Sequence, residues 1–288
     1  MKAMPIAIDR RGFLRCAVGA GFAACLQGAG AAPSRWALLS DTHCPMDPSD
    51  VYRGFYSHQN LKKAAAAVAQ SPAQFCAVSG DLARLTGQSG DYEAFRELMK
   101  PVLDKMPVGL AFGNHDHRAN FERVFPAPQG TRQSVPRKMV LSFEWTDLRA
   151  VFLDSLLETN VTPGQLGTAQ RRWLAEYLST DERPALLFVH HDFRDSDGSL
   201  VDAAKLLDAI APVKQAKAVF YGHSHEYKVE TREGIHLVNV PSTAYNFRDQ
   251  DPVGWMAMTL AKGGAEIVLK ATAGNTKLDG TKVDLQWR

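Results

Sequence analysis

The chain has 288 residues, of which 45% are hydrophobic and 22% charged, and its formal net charge is +2. This composition is ordinary for a globular protein that buries a sizeable core, and one domain is the default for its length. The sequence shows no internal repeat, low-complexity tract or heptad pattern. Repeat and coiled-coil architectures are therefore excluded.

The first predicted element is a signal peptide over residues 1–31. Arg10 and Arg11 precede Phe13 and Leu14, and an uncharged stretch rich in alanine and glycine follows them. This pattern resembles the twin-arginine export signal, which the export machinery reads as an address. We therefore expect the twin-arginine export machinery as a partner and a periplasmic or secreted mature protein.

Small residues at positions 29–31 offer a cleavage site, which leaves residues 32–288 as a single mature domain. Several glycines make the uncharged stretch a poor membrane anchor, and a lipoprotein acylated at Cys25 is a minor alternative. The signal carries a charge of +3, so its removal from a chain of +2 leaves −1. We therefore expect neither a nucleic-acid partner nor stable membrane insertion.

Five short apolar runs that each end abruptly in polar residues predict buried strands. They cover residues 36–40, 75–79, 108–112, 185–189 and 218–221. Apolar residues at helical spacing lie between the first four runs, at residues 61–69, 92–103 and 166–178. Strands that alternate with helices favour an α/β architecture.

A second group of predicted strands has no intervening helices. These strands cover residues 139–145, 149–153, 227–231, 235–240, 255–260 and 266–271. Gly234 and Gly263 lie between consecutive members and supply turn residues. The second group therefore predicts hairpins.

The mature chain keeps two cysteines, Cys44 and Cys76. An exported protein could pair them. A chain of this length folds without such a link, so we expect two small buried thiols, with a disulfide as the less favoured alternative.

Metal-capable side chains follow directly after each of the first five strands. They are Asp41 and His43, Asp81, the run Asn114-His115-Asp116, His190 and His191, and His223 and His225. In open α/β sheets the carboxyl ends of the strands form the crevice where ligands bind, so these side chains can converge. Gly80, Gly113 and Gly222 stand beside them, which suits backbone that approaches an ion closely. One such motif is weak evidence, but five in order predict a metal site.

These motifs resemble, in order, those of the calcineurin-like metallophosphoesterase family. The matching residues are Asp41-x-His43, Gly80-Asp81, Gly113-Asn114-His115-Asp116, His190 and Gly222-His223-x-His225. The resemblance covers most of the mature chain. It implies a four-layer α-β-β-α sandwich of two mixed β-sheets flanked by helices.

The resemblance also implies two metal ions with one shared ligand. One ion would be held by Asp41, His43, Asp81 and His225, and the other by Asp81, Asn114, His190 and His223. Imidazole nitrogens mixed with carboxylate and amide oxygens suit Fe, Mn, Zn or Co. The implied reaction is hydrolysis of a small-molecule phosphate ester by a metal-activated hydroxide. His115 would stabilise the phosphoryl charge or protonate the leaving oxygen, and Asp116 would orient it.

The sequence leaves the roles of several residues near these motifs undecided between alternatives. In many relatives a proline stands two positions after the metal histidine, whereas Asp192 stands there in this chain. The departure leaves open which histidine binds metal. The resemblance favours His190 as the ligand, with His191 placed behind it or facing substrate. His117 and Arg118 could contact substrate, although a solvated loop residue is the alternative reading for both.

Residues 60–125 and 241–247 look most like the corresponding segments of bacterial cyclic-nucleotide and glycerophosphodiester phosphodiesterases, a branch of the same family. Together with export, this similarity favours a phosphodiesterase that acts outside the inner membrane. The alternatives are a phosphomonoesterase of the same fold and a non-catalytic protein that binds metal or phosphate. Residues 46–58 and 120–137 are expected to form the rim of the site.

Overall fold

In this computed structural model, the described part of the chain is residues 30–288. The predicted signal peptide at residues 1–31, with its arginine pair and Cys25, therefore lies outside the described residues except for positions 30 and 31. Within the described range, no helix is both long and apolar enough to cross a lipid bilayer.

The described residues form strands and helices that alternate in the first half and give way to hairpins near the end. The strands are β1 (Arg35–Leu39), β2 (Phe75–Val78), β3 (Val108–Leu110), β4 (Thr131–Arg132), β5 (Leu141–Glu144), β6 (Arg149–Phe152), β7 (Ala185–Phe188), β8 (Ala216–Tyr221), β9 (Lys228–Arg232), β10 (Ile235–Asn239), β11 (Pro252–Ala261), β12 (Gly264–Gly274) and β13 (Lys282–Gln286). The helices are α1 (Ser57–Gln70), α2 (Ser89–Leu103), α3 (Arg118–Val124), α4 (Gly167–Leu178) and α5 (Ala203–Ile210), with a 3₁₀ helix at Thr276–Leu278.

The strands form two mixed sheets. One has the order β13-β12-β11-β1-β2-β3 and the other has the order β4-β5-β6-β7-β8-β10-β9. Strands β1, β2 and β3 run parallel in the first sheet, and β6, β7, β8 and β10 run parallel in the second. Antiparallel pairs complete both sheets. Each sheet therefore has one edge where the carboxyl ends of several parallel strands lie together.

Alternate side chains of β1 belong to two different cores. Trp36 and Leu38 join Phe188 in the layer between the two sheets, whereas Ala37 and Leu39 pack in the cluster that includes α1 and α2. Successive side chains of a strand point to opposite faces, so the first sheet is covered on both sides. A third buried cluster joins the outer face of the second sheet to α4 and α5. The prediction of a four-layer sandwich is confirmed.

All the predicted strands and helices occur, with bounds that differ by a few residues. The hairpin turns at Gly234 and Gly263 are also confirmed, since both glycines have positive φ between paired antiparallel strands. Elements α3, α5, β4 and β13 were not predicted. With two residues in β4 and seven in α3, these segments are too short to show a clear apolar period. Cys44 and Cys76 are buried free thiols, as expected.

Candidate metal centre

The carboxyl ends of five parallel strands, three from one sheet and two from the other, meet at one site. Strands β1, β2 and β3 lead into the carboxylate and amide donors, and β7 and β8 lead into three histidines. The structure brings together all seven side chains that were predicted as ligands: Asp41, His43, Asp81, Asn114, His190, His223 and His225.

Asp81 lies between two groups of donors. Its Oδ2 atom is 3.2 Å from Nε2 of His190 and 3.6 Å from Nε2 of His43. On the His190 side, Nε2 of that ring is 3.3 Å from Nδ1 of His223. A single carboxylate can therefore reach both halves of the site.

The second half of the site gathers Asp41, His43 and His225. Oδ1 of Asp41 is 3.3 Å from Nε2 of His225, and the Nε2 atoms of His43 and His225 are 3.1 Å apart. All three side chains are buried. Three donor atoms this close together have the spacing of ligands around one ion.

Backbone carbonyl groups fix the orientation of three of the histidine rings. Nδ1 of His43 contacts the Arg84 carbonyl at 3.2 Å, Nδ1 of His190 contacts the Ser79 carbonyl at 2.9 Å, and Nδ1 of His225 contacts the Tyr245 carbonyl at 2.6 Å. A carbonyl oxygen only accepts, so each Nδ1 carries a proton, and in the neutral ring, the form that binds metal, each Nε2 presents a lone pair to the centre. Two lone pairs that face each other call for a cation between them.

Asn114 supplies independent support for a metal ion. Its Oδ1 atom is buried and has no hydrogen-bond partner among residues 30–288. A buried amide oxygen without a partner costs free energy, and coordination to an ion would satisfy it. The mixture of carboxylate, amide and imidazole donors therefore fits a pair of transition-metal ions.

The pKa values describe a site that favours cations. Burial raises the pKa of the Asp41 carboxyl, but the rings of His225 and His190 lower it by more, so its net pKa lies below the usual value. Burial lowers the pKa of His43 to about 3, against the opposing charge of Asp81. Ionised carboxylates and a neutral imidazole are the protonation states that bind metal.

The backbone at the site is strained. Asp41 and Asp81 both have φ of 49°, His223 has 70° and His225 has 55°. This left-handed region is uncommon for residues other than glycine and persists where the surrounding structure enforces it, often at functional sites. At Gly113, a Cβ atom would overlap Oδ1 of Asp81. The backbone must therefore come close to the ligands.

The two residues predicted to be catalytic have different surroundings. His115 is partly exposed, its Nδ1 contacts the Leu85 carbonyl at 2.7 Å, and it lines the same cavity as the ligands. The Asp116 carboxylate is buried and accepts hydrogen bonds from the backbone N–H groups of Leu82 and Gly113. The prediction that Asp116 orients the His115 ring is wrong, because its carboxylate fixes the loops that carry the ligands.

Burial of the Asp116 carboxyl and the nearby charge of Asp81 raise its pKa to about 7. The Tyr92 hydroxyl also donates to it, at 3.1 Å. These contacts give Asp116 a structural role beneath the site.

His191 differs from its neighbour His190 in its contacts. Its Nδ1 atom lies 2.7 Å from Oγ of Ser155, and its Nε2 atom lies 2.9 Å from the Thr162 carbonyl. Both ring nitrogens therefore have protein partners. The geometry favours His190 as the ligand and gives His191 a supporting position beside the rings of His190 and His223.

The structure gives His117 and Arg118 contacts that differ from the two alternatives considered from the sequence, which were contact with substrate and exposure on a solvated loop. Nδ1 of His117 accepts from the backbone N–H of Asn120 and caps α3. Arg118 donates through Nε and Nη2 to the buried Asp154 carboxylate, at 2.6 and 2.7 Å. Neither is a solvated loop residue, and the Arg118 guanidinium is already engaged by protein.

A cavity of about 470 Å³ opens above the donors. Its wall includes residues that the sequence reasoning missed: Arg194, Ser196, Glu226 and Arg248. Glu226 directly follows a predicted ligand, and this adjacency could have identified it. The two arginines stand in no motif, so only the fold reveals their position.

Known proteins resemble this chain in sequence and in fold. A family model for calcineurin-like phosphoesterase matches residues 34–227. A 3',5'-cyclic adenosine monophosphate phosphodiesterase from Haemophilus influenzae is 27% identical over 240 residues, which cover 80% of this chain and 84% of that protein. A probable cyclic nucleotide phosphodiesterase from Vesicomyosocius okutanii is 22% identical over 235 residues, covering 80% and 95%.

Among solved structures, a dimetal phosphatase from Danio rerio has a TM-score of 0.68 at 14% identity, covering 89% of this chain and 100% of that one. The fold, the donor cluster and the family match together define the class, a metal-dependent phosphoric ester hydrolase that uses two transition-metal ions. The chain belongs to the calcineurin-like phosphoesterase family.

Proposed function

We propose that this enzyme hydrolyses small-molecule phosphodiesters at a centre of two metal ions bridged by Asp81. The observation that carries the proposal is the position of Asp81, whose Oδ2 atom lies within 3.6 Å of donor nitrogens in both halves of the site. The preference for diesters is supported by relatives that are named as phosphodiesterases.

In this proposal each ion has four protein ligands. Asp41, His43, Asp81 and His225 would hold one ion, and Asp81, Asn114, His190 and His223 would hold the other. Two such ions, when bound, neutralise the oxygens of the ester and lower the pKa of a water molecule.

His115 is the candidate group for proton transfer. A ring nitrogen of His115 groups with donor atoms of His43 and Asp81 within 4.8 Å, and the ring is reachable from the cavity. The contact between Nδ1 and the Leu85 carbonyl holds the ring in place. His115 can then hold a proton at its other nitrogen for the leaving oxygen.

The test compares bis(p-nitrophenyl) phosphate with p-nitrophenyl phosphate, using metal-replete protein and an Asn114→Ala variant. We expect turnover of the diester that Asn114→Ala reduces by about 100-fold, because the variant removes a metal ligand. An Asn275→Ala variant, at a partly buried position that caps the 3₁₀ helix and does not line the cavity, serves as the control and should keep wild-type turnover.

Two other results would contradict the proposal. Turnover of the monoester alone would indicate a phosphomonoesterase of the same fold. Equal background rates in wild type and Asn114→Ala would indicate a protein that binds metal or phosphate without catalysis.

Export is a separate part of the proposal. Arg10 and Arg11, with Phe13 and Leu14, support recognition by the twin-arginine machinery and a periplasmic or secreted location. Replacing both arginines with lysine should retain the precursor in the cytoplasm, as measured by cell fractionation. Unchanged export would exclude the twin-arginine route, and labelling at Cys25 by palmitate would favour the lipoprotein.

A further inference from the structure

A short loop over residues 155–165 closes on itself beside the metal centre. The backbone N–H of Gln165 donates to the Ser155 carbonyl at 2.9 Å, which joins the two ends of the loop. Nζ of Lys138 donates to the carbonyls of Leu156 and Gln165, at 2.8 and 2.7 Å, and so ties both ends together a second time. A compact loop with adjacent ends is typical of Ω loops, which often have a function. We call residues 155–165 the Ω loop.

The tip of the Ω loop is a tight turn next to the loop that follows β3. The N–H of Val161 donates to the Glu158 carbonyl at 3.1 Å, which closes a four-residue turn. Asn160 is the third residue of this turn and has φ of 63°, a left-handed conformation that asparagine adopts more readily than most residues. The turn places two donors side by side, the hydroxyl group of Thr159 and the backbone N–H of Asn160.

These two donors bond the backbone on either side of His115. The N–H of Asn160 donates to the Asn114 carbonyl at 2.6 Å. Oγ1 of Thr159 donates to the Asp116 carbonyl at 2.8 Å. The residue before His115 and the residue after it are therefore both held by the Ω loop.

His115 itself makes two further contacts. Its backbone N–H donates to Oδ1 of Asp81 at 2.8 Å, and its Nδ1 contacts the Leu85 carbonyl at 2.7 Å. Four contacts therefore locate this residue, and two of them come from the Ω loop. A proton donor must lie within hydrogen-bond distance of the atom that it protonates, so a small displacement of the ring slows the proton transfer.

The position of Thr159 determines how it can act. The wall of the cavity includes His115 and Thr162 but not Thr159. The Thr159 hydroxyl group is directed at a backbone carbonyl rather than at the cavity. Any influence of Thr159 on the reaction therefore passes through the loop that carries His115.

We propose that Thr159 is a positioning residue, whose hydroxyl group holds His115 where the ring can protonate the leaving oxygen. In this step a hydroxide forms a bond to phosphorus and the phosphorus–oxygen bond to the alcohol breaks. The alkoxide oxygen takes a proton from His115, which regains one from solvent through the cavity. The inference rests on the proposed function, because it assigns a support to the proton donor of the same site.

The test compares two diesters whose leaving groups differ in their need for a proton. Bis(p-nitrophenyl) phosphate releases a stable phenolate without one, whereas dibenzyl phosphate releases a strongly basic alkoxide. Thr159→Val replaces the hydroxyl group with a methyl group of similar size. We expect kcat for dibenzyl phosphate to fall about tenfold with little change in KM, and kcat for bis(p-nitrophenyl) phosphate to fall less than about twofold. Chromatography of benzyl alcohol and absorbance of nitrophenolate measure the two rates.

Three further variants make the result specific. Thr159→Ser keeps the hydroxyl group and should restore the wild-type rate on dibenzyl phosphate, whereas Thr159→Ala should show the same selective loss as Thr159→Val. Thr281→Val is the matched control, because this partly buried threonine also donates through Oγ1 to a backbone carbonyl, that of Leu278 at 2.6 Å. It lies just before β13 and should keep both rates. His115→Ala gives the selective loss expected when the proton donor is absent.

The outcomes separate this inference from the proposed function. If wild type hydrolyses neither diester, both fail. If His115→Ala loses activity selectively on dibenzyl phosphate but the Thr159 variants do not, only the positioning role fails. An equal loss on both diesters, or loss of metal from Thr159→Val, would also overturn the positioning role, because it would indicate a general effect on the metal centre. Wild-type turnover of bis(p-nitrophenyl) phosphate alone would overturn it as well and leave the diesterase assignment standing.

Discussion

The floor and the mouth of the cavity are built in different ways. At the floor, Asp41, Asp81, His43 and His225 are buried on strained backbone. Carbonyl groups fix the rings of His43, His190 and His225. At the mouth, the side chains of Arg194 and Arg248 are about half exposed, at 51% and 47%, and stand on loops. Rigid donors on strand ends suit metal chemistry, whereas loop side chains can vary with the substrate.

The contrast implies that the floor carries out the reaction and that the mouth determines which ester is hydrolysed. Changes at the floor should remove metal and activity on every ester. Changes at the mouth should alter the choice of ester and leave the fold intact. The following predictions test that separation, from the largest expected effect to the smallest.

The largest effect is expected for Asp81→Ala. This variant removes the carboxylate whose Oδ2 atom lies 3.2 Å from His190 and 3.6 Å from His43, whereas Oδ1 of Asp41 is 3.9 Å from both rings. We expect kcat/KM to fall by about 1,000-fold or more for every ester, because several kcal/mol of transition-state stabilisation is lost. Steady-state kinetics on bis(p-nitrophenyl) phosphate and p-nitrophenyl phosphate measures this loss. A loss confined to one of the two esters would contradict the division between the floor and the mouth.

Gly113→Ala tests the close approach of backbone to the floor. Its Cβ would overlap Oδ1 of Asp81, so the ligand must move. We expect metal affinity to fall about 10- to 100-fold, measured by competition with a chelator. Gly90→Ala is the control, because its Cβ would meet only the flexible Met46 side chain, and its metal affinity should match wild type.

His191→Ala tests whether His191 binds metal or only holds the neighbouring ligands in place. The ring contacts Ser155 and Thr162, so its removal leaves a buried gap and unpaired polar atoms. We expect the free energy of unfolding to fall by about 2 to 3 kcal/mol, measured by chemical denaturation. The variant should still bind two metal ions, whereas His190→Ala should not. Loss of metal from His191→Ala alone would reverse the assignment.

Glu226→Gln is expected to have the smallest effect on stability. Its ion pairs with Arg194 and Arg248 involve guanidinium groups that are about half exposed, and such pairs contribute less than about 1 kcal/mol. Thermal melting should therefore show little change. A large loss of stability would mean that the mouth is part of the structural core, which would remove the distinction between the two regions.

The residues of the floor could be predicted from the sequence because each stands close to the end of a recognisable strand. Asp41-x-His43 and His223-x-His225 each end an apolar strand, so position and residue type can be read together. The α/β architecture followed from the alternation of strands and helices, whereas the four-layer sandwich followed from the family resemblance. The shared position of Asp81 was available only through resemblance, because no local pattern gives the distance between two sheets.

The mouth could not be predicted in the same way. Arg194 and Arg248 are far apart in sequence and lie in loops, where neither an apolar period nor a motif marks them, and only adjacency to His225 marks Glu226. The role expected for Asp116 was wrong for a related reason. Adjacency to His115 suggested contact, but the tight loop turns the Asp116 carboxylate toward the backbone of Leu82 and Gly113.

Metal content per chain tests the central claim most directly. Purified enzyme, loaded with manganese, zinc, iron or cobalt and freed of excess ion, should contain two metal ions per chain by elemental mass spectrometry. Asp81→Ala should contain fewer than one. A wild-type enzyme that is fully active with one ion or none, or an Asp81→Ala variant that keeps both ions, would contradict the account.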